Sequence, residues 1–172
     1  MKETFGVLPS GENTSIYTIS CGSLTAAVTD YGATLVRVLV LDRNGVPADV
    51  VLGFDDCNGY RTGNGGFLGA TVGRNANRLK DASFQIGGTT YHLTPNENGN
   101  SLHSGPDCFH LRVWKLISHT EDAVVLELNS PHGDQGFPGN ATIRVTYSLD
   151  ASGGLHIVYD AVSDRDTVFN MT

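Results

Sequence analysis

The stretch Ala141-Thr142-Ile143-Arg144-Val145-Thr146-Tyr147-Ser148-Leu149 alternates apolar and polar side chains along its length. Because successive side chains of a β-strand point to opposite faces of the sheet, this period of two predicts a half-buried strand with one wet face. The same pattern returns after a short turn, through Leu155, Ile157, Tyr159 and Ala161. The two stretches predict neighbouring antiparallel strands that pack one face on a core.

The rest of the chain consists of short apolar runs broken by Gly, Asn, Asp and Pro, without convincing amphipathic-helix periodicity. These runs predict further strands at residues 15–20, 24–29, 33–41, 49–53, 82–86, 89–93, 111–119 and 123–129. Both faces of the 33–41 run are apolar, which predicts a central strand covered on both sides. Asp42-Arg43-Asn44-Gly45 contains an Asn-Gly pair and predicts a tight hairpin turn.

The composition is that of one globular domain, or of part of a larger one. Of the 172 residues, 40% are hydrophobic and 17% are charged, which is not the balance of a disordered chain. The net charge of −7 comes without a cluster of Lys and Arg, so nucleic acid is not an expected partner. No apolar run approaches the roughly 18 residues of a membrane span, and the N-terminus lacks a signal-peptide pattern. Three widely spaced cysteines, Cys21, Cys57 and Cys108, argue against a disulfide framework and for a reducing compartment, the cytoplasm.

Three long polar segments interrupt the strand pattern, at residues 54–66, 94–109 and 130–139. Long loops on a β-scaffold often carry function, so a site is expected among them. The first segment is expected to be irregular throughout. It contains Gly63-Asn64-Gly65-Gly66, which lacks the preceding strand and following helix of a phosphate-binding loop.

The second segment contains Asn100-Ser101-Leu102-His103-Ser104-Gly105, in which a histidine lies among small, turn-forming residues. A polar cluster, Gly73-Arg74-Asn75-Ala76-Asn77-Arg78, precedes this histidine by 25 residues. We predict that the two loops meet over one pocket that binds a sugar. Asn77 offers a donor and an acceptor, Arg78 offers five donors, and His103 can bond in either direction. The simpler alternatives are that Arg78 pairs with a nearby acid and that His103 is a solvated loop histidine.

Other kinds of site are weaker in this sequence. His103, Cys108 and His110 lie close together, but no Cys-x-x-Cys or His-x-x-x-His element accompanies them, so no metal is expected. Nothing indicates a lowered thiol pKa or an oxyanion hole for Cys108, which disfavours a Cys–His nucleophile. Asp134 is a plausible acid, but a single carboxylate does not make a glycosidase pair.

Five pieces of the sequence together resemble the aldose 1-epimerase family, also called galactose mutarotases. In the family's order, they are Asp30-Tyr31-Gly32-Ala33, Val50-Val51-Leu52-Gly53-Phe54-Asp55, Gly73-Arg74-Asn75-Ala76-Asn77-Arg78, Asn100-Ser101-Leu102-His103, and residues 130–139 with their Gly133-Asp134-Gln135-Gly136-Phe137-Pro138-Gly139. The resemblance covers almost the whole chain. It implies an all-β fold, a large antiparallel β-sandwich, and catalysis without a metal or an organic cofactor.

The resemblance also implies a reaction, in which α and β anomers of galactose or glucose interconvert by ring opening. A general base takes the anomeric proton while a general acid protonates the ring oxygen. Asn77 and Arg78 would hold hydroxyls of the hexose, and His103 would be the catalytic residue that binds and polarises it. The family's second histidine, a substrate-binding Asp and the Glu general base have no counterpart within residues 1–172.

We therefore expect residues 1–172 to be the N-terminal portion of one mutarotase-like domain, with its sandwich incomplete. Residues 167–172 resemble the start of another strand without a closing turn, which also predicts that the chain is cut short. Such a piece should be inactive alone, and its exposed sheet edges should bind the missing C-terminal segment or a second copy.

Two positions depart from the family's pattern. Ser104 follows the histidine where the family usually has Gly, and Cys108 precedes Phe109 where Gly is usual. Two rivals to the enzyme hypothesis stay open. One is a non-catalytic sugar-binding or regulatory module on the same fold. The other is an epimerase relative for phosphorylated hexoses, which an additional basic cluster near the pocket would favour.

Overall fold

The structure is a computed structural model, and it describes residues 1–63 and 66–172. The strands are β1 (Lys2–Val7), β2 (Asn13–Cys21), β3 (Leu24–Thr29), β4 (Thr34–Leu41), β5 (Pro47–Asp49), β6 (Arg78–Leu79), β7 (Ser83–Ile86), β8 (Thr89–His92), β9 (Ser101–Leu102), β10 (Lys115–His119), β11 (Ala123–Ser130), β12 (Ala141–Leu149) and β13 (Leu155–Ser163). A short helix, α1 (Cys57–Gly63), follows β5. Within the described residues, no helix is long and apolar enough to cross a membrane.

Most strands belong to two antiparallel sheets. One has the order β1-β2-β3-β4-β5 and the other the order β10-β11-β12-β13, so each strand pairs with the next along the chain. Within the second sheet, Val145 of β12 lies opposite Leu126 of β11 and Tyr159 of β13. Two smaller ribbons, the β7-β8 hairpin and the β6-β9 pair, complete the pairing of the described strands.

The main hydrophobic core lies between these two sheets. Tyr17 and Ile19 of the first sheet belong to one buried cluster with Leu126, Ile143 and Val145 of the second. Burying an aliphatic side chain of this size is worth roughly 1.5–3 kcal/mol, so the core is the principal reason that the sheets pair face to face. The predicted all-β antiparallel sandwich is confirmed.

The strand β4 is covered on both faces, as the 33–41 run predicted, although β3 is the central strand of its sheet. Val38 packs in the main core, whereas Val36 packs in a second cluster with Phe5 and Tyr60. Residues of β4 pack in both clusters because the pairing of β3 with β4 shifts register between Ala27 and Val28. This irregularity turns the side chain of Val36 towards the opposite face of the sheet. The predicted turn at residues 42–45 is also present, since β5 returns antiparallel to β4.

Two strand predictions need correction, and one strand was not predicted. Residues 50–53 are not a strand, because the Asp49 carboxylate accepts the backbone N–H groups of Val38 and Val51 and replaces the ladder there. The 111–119 run yields only β10, and a 3-10 turn at Phe109–Leu111 occupies its start. The sequence also gave no indication of β1, in which Phe5 alone is buried.

The segment 54–66 is not irregular throughout, because it contains α1. Asp56 caps this helix by accepting the backbone N–H of Gly59 at 2.8 Å. Cys57 and Tyr60 bury one side of it against Phe5. A helix of seven residues is too short to show a clear period in the sequence. Residues 64 and 65, in the middle of the Gly-rich stretch, lie outside the described part of the chain.

Candidate functional site

The two predicted loops meet at the β6–β9 ribbon, in which Arg78 lies opposite Leu102. One step beyond the ribbon, Asn77 and His103 exchange two hydrogen bonds. The backbone N–H of His103 donates to the carbonyl of Asn77 at 3.0 Å. The backbone N–H of Asn77 donates to Nδ1 of the His103 ring, also at 3.0 Å. The sequence prediction that these loops meet is therefore correct.

This pairing determines the protonation state of the His103 ring. Because Nδ1 accepts a hydrogen bond from the backbone, the proton of the neutral imidazole lies on Nε2. Burial lowers the pKa of His103 below its usual range, and the positive charge of Arg78 lowers it further. His103 is therefore neutral near pH 7 and offers Nε2–H as a donor.

His103 lines a cleft of about 330 Å³, which we call the His103 cleft. Its other lining residues are mainly apolar or aromatic: Leu35, Phe67, Gly69, Ala70, Val72, Tyr147, Ile157, Tyr159 and Thr172. The centroid of the Phe67 ring lies 4.5 Å from that of His103. An apolar cleft with a few placed polar groups is the usual form of a small-molecule site.

Asn77 and Arg78 lie beside the His103 cleft rather than in its lining. Arg78 pairs with Glu97, with Nε and Nη2 donating to the two carboxylate oxygens at 3.1 and 3.0 Å. The alternative that Arg78 pairs with a nearby acidic residue is therefore confirmed. The second terminal nitrogen, Nη1, has only a long 3.5 Å contact with Asn77 Oδ1, so Arg78 keeps donors for a ligand. Sugar binding by Asn77 and Arg78 stays a prediction.

A larger opening of about 520 Å³ lies at the ends of β11, β12 and β13. Its polar groups bond to one another, as in the 2.7 Å bond from Asn140 Nδ2 to Asp164 Oδ2. His103 is not part of its lining. We therefore place the candidate site in the smaller His103 cleft, because its lining includes a neutral histidine whose ring carries a donor.

Arg74 anchors the first loop, a role that its sequence context did not indicate. Its side chain is fully buried and donates to the carbonyls of Ser130, Pro138 and Gly139 at 2.8–2.9 Å. Nε donates to the Ser130 hydroxyl at 3.0 Å. From the sequence, an arginine in a polar cluster is expected to be exposed. The groups that bury Arg74 lie more than 50 residues away along the chain, so the local pattern does not reveal them.

Asp134 is already engaged and is not a free acid. Arg112 donates to both of its oxygens at 2.7 and 2.8 Å, and the Ser130 hydroxyl donates to it as well. Burial would raise the pKa of Asp134, but the hydrogen bonds from Arg112 and Ser130 and the nearby positive charges hold it below its usual range. The carboxylate therefore joins the 130–139 loop to Arg112.

The other residues considered for metal or nucleophilic chemistry are also buried. Burial raises the pKa of the Cys108 thiol to about 11, so it is protonated near pH 7. Burial, and secondarily the charge of His103, lowers the pKa of His110 to about 4. In the described ranges, no group of three His, Cys, Asp or Glu side chains could hold a metal ion.

The last residues of the chain lie against the first loop. The backbone of Asn170 forms a parallel bridge with Asn75, and Val72 and Thr172 exchange backbone hydrogen bonds at 2.8 and 3.3 Å. The strand-like segment 167–172 therefore makes one bridge rather than a full strand. Thr172 contributes to the His103 cleft.

The profile of the family described as Aldose 1-epimerase matches residues 15–172. The chain belongs to the aldose 1-epimerase family. It is 38% identical to a galactose mutarotase of Mus musculus over 172 residues, which are 99% of this chain and 49% of that protein. It is 32% identical to an aldose 1-epimerase of Escherichia coli K12, over 100% of this chain and 50% of that protein. The chain spans about half the length of these relatives.

Solved structures of aldose epimerases share the fold. A GalM/aldose epimerase homologue from C. elegans superposes with a TM-score of 0.87 at 33% identity, over 92% of this chain and 49% of that one. A galactose 1-epimerase from Lactobacillus acidophilus gives 0.85 at 28% identity, over 99% of this chain and 50% of that one. The resemblance drawn from the sequence motifs is confirmed.

The aldose epimerase motifs contain one residue of the cleft lining, His103, and two residues beside the cleft. They include His103, Asn77 and Arg78, but not Phe67, Tyr147 or the other aromatic lining of the cleft. Tyr147 lies in the alternating strand β12, where its apolar neighbours indicated only a core position. Its hydroxyl donates to the carbonyl of Ala33 at 2.8 Å, a contact across 114 residues that the sequence pattern could not reveal.

Proposed function

We propose that this chain is part of an aldose 1-epimerase that interconverts the α and β anomers of a hexose such as galactose or glucose. The observation that carries the proposal is the neutral His103, whose Nδ1 is held by Asn77 and whose Nε2–H is left for a ligand. The family of the chain, and relatives named galactose mutarotase and aldose 1-epimerase, support the reaction class.

In this proposal, His103 binds and polarises the sugar. A donor already aimed at a sugar oxygen stabilises the negative charge that develops there during ring opening. Arg78 and the Asn77 side chain hold other hydroxyls, because one offers donors and the other both a donor and an acceptor. Burial keeps His103 neutral, so it donates a hydrogen bond rather than a full positive charge.

Ring opening also needs a general base and a general acid. Among the described residues that line the His103 cleft, the other titratable side chains are Tyr147 and Tyr159, and burial raises the pKa of both. Neither is suited to proton transfer near pH 7. We therefore assign the general acid and base to parts of the protein outside residues 1–172.

Polarimetry tests the proposed activity. The intact protein should speed the mutarotation of freshly dissolved α-D-galactose or α-D-glucose well above the spontaneous rate. A rate equal to the buffer blank with both sugars would refute it. Residues 1–172 alone, in contrast, should leave the blank rate unchanged, because the described residues of the His103 cleft supply no proton-transfer pair.

A non-catalytic sugar-binding module is the second candidate. The lack of a second suitable acid or base among the described residues of the cleft favours it. Calorimetry with galactose separates the two candidates when it is run beside polarimetry. Binding without turnover by the intact protein would identify a module, whereas binding with turnover identifies the epimerase.

We further propose that β13 is a docking edge, either for another segment of the same protein or for a second copy. In the described part of the chain, β13 pairs only with β12, and Ile157 and Val162 on it are 41% and 70% exposed. Light scattering on residues 1–172 and on the intact protein would show whether self-association occurs only when residues 1–172 are isolated.

The free, buried thiols of Cys57 and Cys108 support a cytoplasmic location.

A further inference from the structure

The Ser104 hydroxyl joins the two loops of the candidate site. It accepts the backbone N–H of Asn75 at 2.8 Å and donates to the carbonyl of the same residue at 3.0 Å. Ser104 is 1% exposed and Asn75 is 6% exposed, so water does not compete for these bonds. One side chain therefore holds both backbone groups of a residue two positions before Asn77.

The Cys108 thiol holds the same turn from its other side. Its Sγ atom lies 2.7 Å from the carbonyl oxygen of Gly105 and 3.2 Å from that of His103. The thiol is buried and protonated, so its S–H is a donor shared between these two carbonyls. The backbone of His103 is thus tied to Asn77 through its N–H and to Cys108 through its carbonyl.

The turn needs this support because its backbone is unusual. His103, Ser104 and Gly105 have φ angles of 54°, 71° and 101°. Residues with a side chain rarely adopt positive φ, and such a conformation persists only where the surroundings hold it. The bonds of Ser104 and Cys108 provide such support at His103, Ser104 and Gly105.

We propose that Ser104 and Cys108 are positioning residues that keep His103 in register with Asn77 and thereby present Nε2–H to the sugar. The proposal rests on the proposed function for its catalytic consequence. Its structural part stands separately, because a shift of the two loops would take the Asn77 N–H away from Nδ1 and free the ring to exchange tautomers.

The test uses the intact protein and two matched pairs of variants. Ser104→Ala removes the hydroxyl that makes both bonds. Ser101→Ala is its control, because Ser101 is equally buried in the same loop but its hydroxyl has no hydrogen-bond partner among the described residues. Cys108→Ala removes the second donor, and Cys108→Ser restores one. The readouts are the ¹⁵N NMR signals of the His103 ring across pH, the urea midpoint and the polarimetric kcat and KM.

In the unaltered protein we expect the His103 ring in the Nε2–H form only. In Ser104→Ala and Cys108→Ala, we expect a mixture of tautomers, a pKa of His103 closer to its ordinary value, and kcat lower by about tenfold or more. Ser101→Ala and Cys108→Ser should keep the original ring signals. If Ser104→Ala does not fold, the comparison of the His103 ring signals in Cys108→Ala and Cys108→Ser tests the proposal by itself.

A fall in the urea midpoint with unchanged His103 signals in Ser104→Ala and Cys108→Ala would overturn the proposal, since it would leave a purely structural role. The ring signals do not depend on turnover. A protein without mutarotase activity but with the expected tautomer changes would therefore refute the proposed function and retain the positioning role.

Discussion

The backbone N–H of Asn77 lies 3.0 Å from Nδ1 of His103, and the carbonyl of Asn77 accepts the N–H of His103 at the same distance. A backbone N–H is removed only by substitution with proline, and it cannot become an acceptor. The pair therefore fixes which ring nitrogen carries the proton. In this geometry His103 is a neutral hydrogen-bond donor, and protonation of Nδ1 would break the bond to Asn77.

Replacement of His103 by Phe tests this donor role. The ring would keep most of its contact with Phe67, which lies 4.5 Å away, but Nε2–H would be lost. We expect kcat/KM in the intact protein to fall about 100-fold or more, as for the loss of one oriented donor at a reacting oxygen. Polarimetry measures this. His92→Phe, at an exposed position on β8, should leave the rate unchanged, and equal rates for both variants would contradict the assignment.

Arg78 is predicted to contribute to sugar binding rather than to stability. Its side chain is 53% exposed in the pair with Glu97. Arg78→Ala should raise the KM for galactose about tenfold while the urea midpoint stays close to its original value. Arg144→Ala is the matched control, since Arg144 is also 53% exposed and pairs with Glu127 on the second sheet. Equal KM values for the two variants would show that Arg78 does not contribute to sugar binding.

The sequence predicted the parts of the fold that depend on local pattern. The alternation at 141–149 gave β12 with its correct bounds, because each side chain of a strand reports its own face. Arg74 and Asp134 could not be interpreted in this way. Their partners lie on loops that meet only in the folded chain, so the same residue types fit an exposed loop and a buried network equally well.

Arg74 is predicted to be among the most sensitive positions for stability. Arg74→Met would leave the carbonyls of Ser130, Pro138 and Gly139 buried without their donor. We expect the free energy of unfolding to fall by about 3–5 kcal/mol, measured by urea denaturation. Arg43→Met, in the exposed turn after β4, should change it by less than about 0.5 kcal/mol. A loss below 1 kcal/mol for Arg74→Met would contradict the buried network.

Gly32 allows a close approach of two backbone segments. A Cβ atom there would lie 2.4 Å from the carbonyl oxygen of His110, and its φ is +74°. Gly45 has a similar φ of +78°, and no atom of residues 1–63 or 66–172 lies within 4 Å of a Cβ atom built there. Gly45→Ala should cost about 1 kcal/mol from the backbone conformation alone. Gly32→Ala should cost about 3 kcal/mol or more, and equal urea midpoints would refute the close contact.

His110 is predicted to make stability depend on pH. Its ring packs at the edge of Phe67, with the ring centroids 4.8 Å apart, and its buried Nδ1 has no hydrogen-bond partner in the described part of the chain. Burial lowers its pKa from an ordinary 6.5 to about 4. Between these two values the unfolded chain binds a proton at this histidine and the folded chain does not. The free energy of unfolding should therefore decrease as the pH falls through this window.

The expected size of this decrease is about 3 kcal/mol, because each unit of pKa difference corresponds to about 1.4 kcal/mol. His110→Phe removes the titrating group and keeps an aromatic ring beside Phe67. Urea unfolding of the two proteins at several pH values between 7 and 4 isolates the contribution, since the carboxylates titrate alike in both. We expect the unaltered protein to lose about 3 kcal/mol more than the variant over this range. Parallel stability curves would mean that His110 takes up its proton in the folded chain as readily as in the unfolded one.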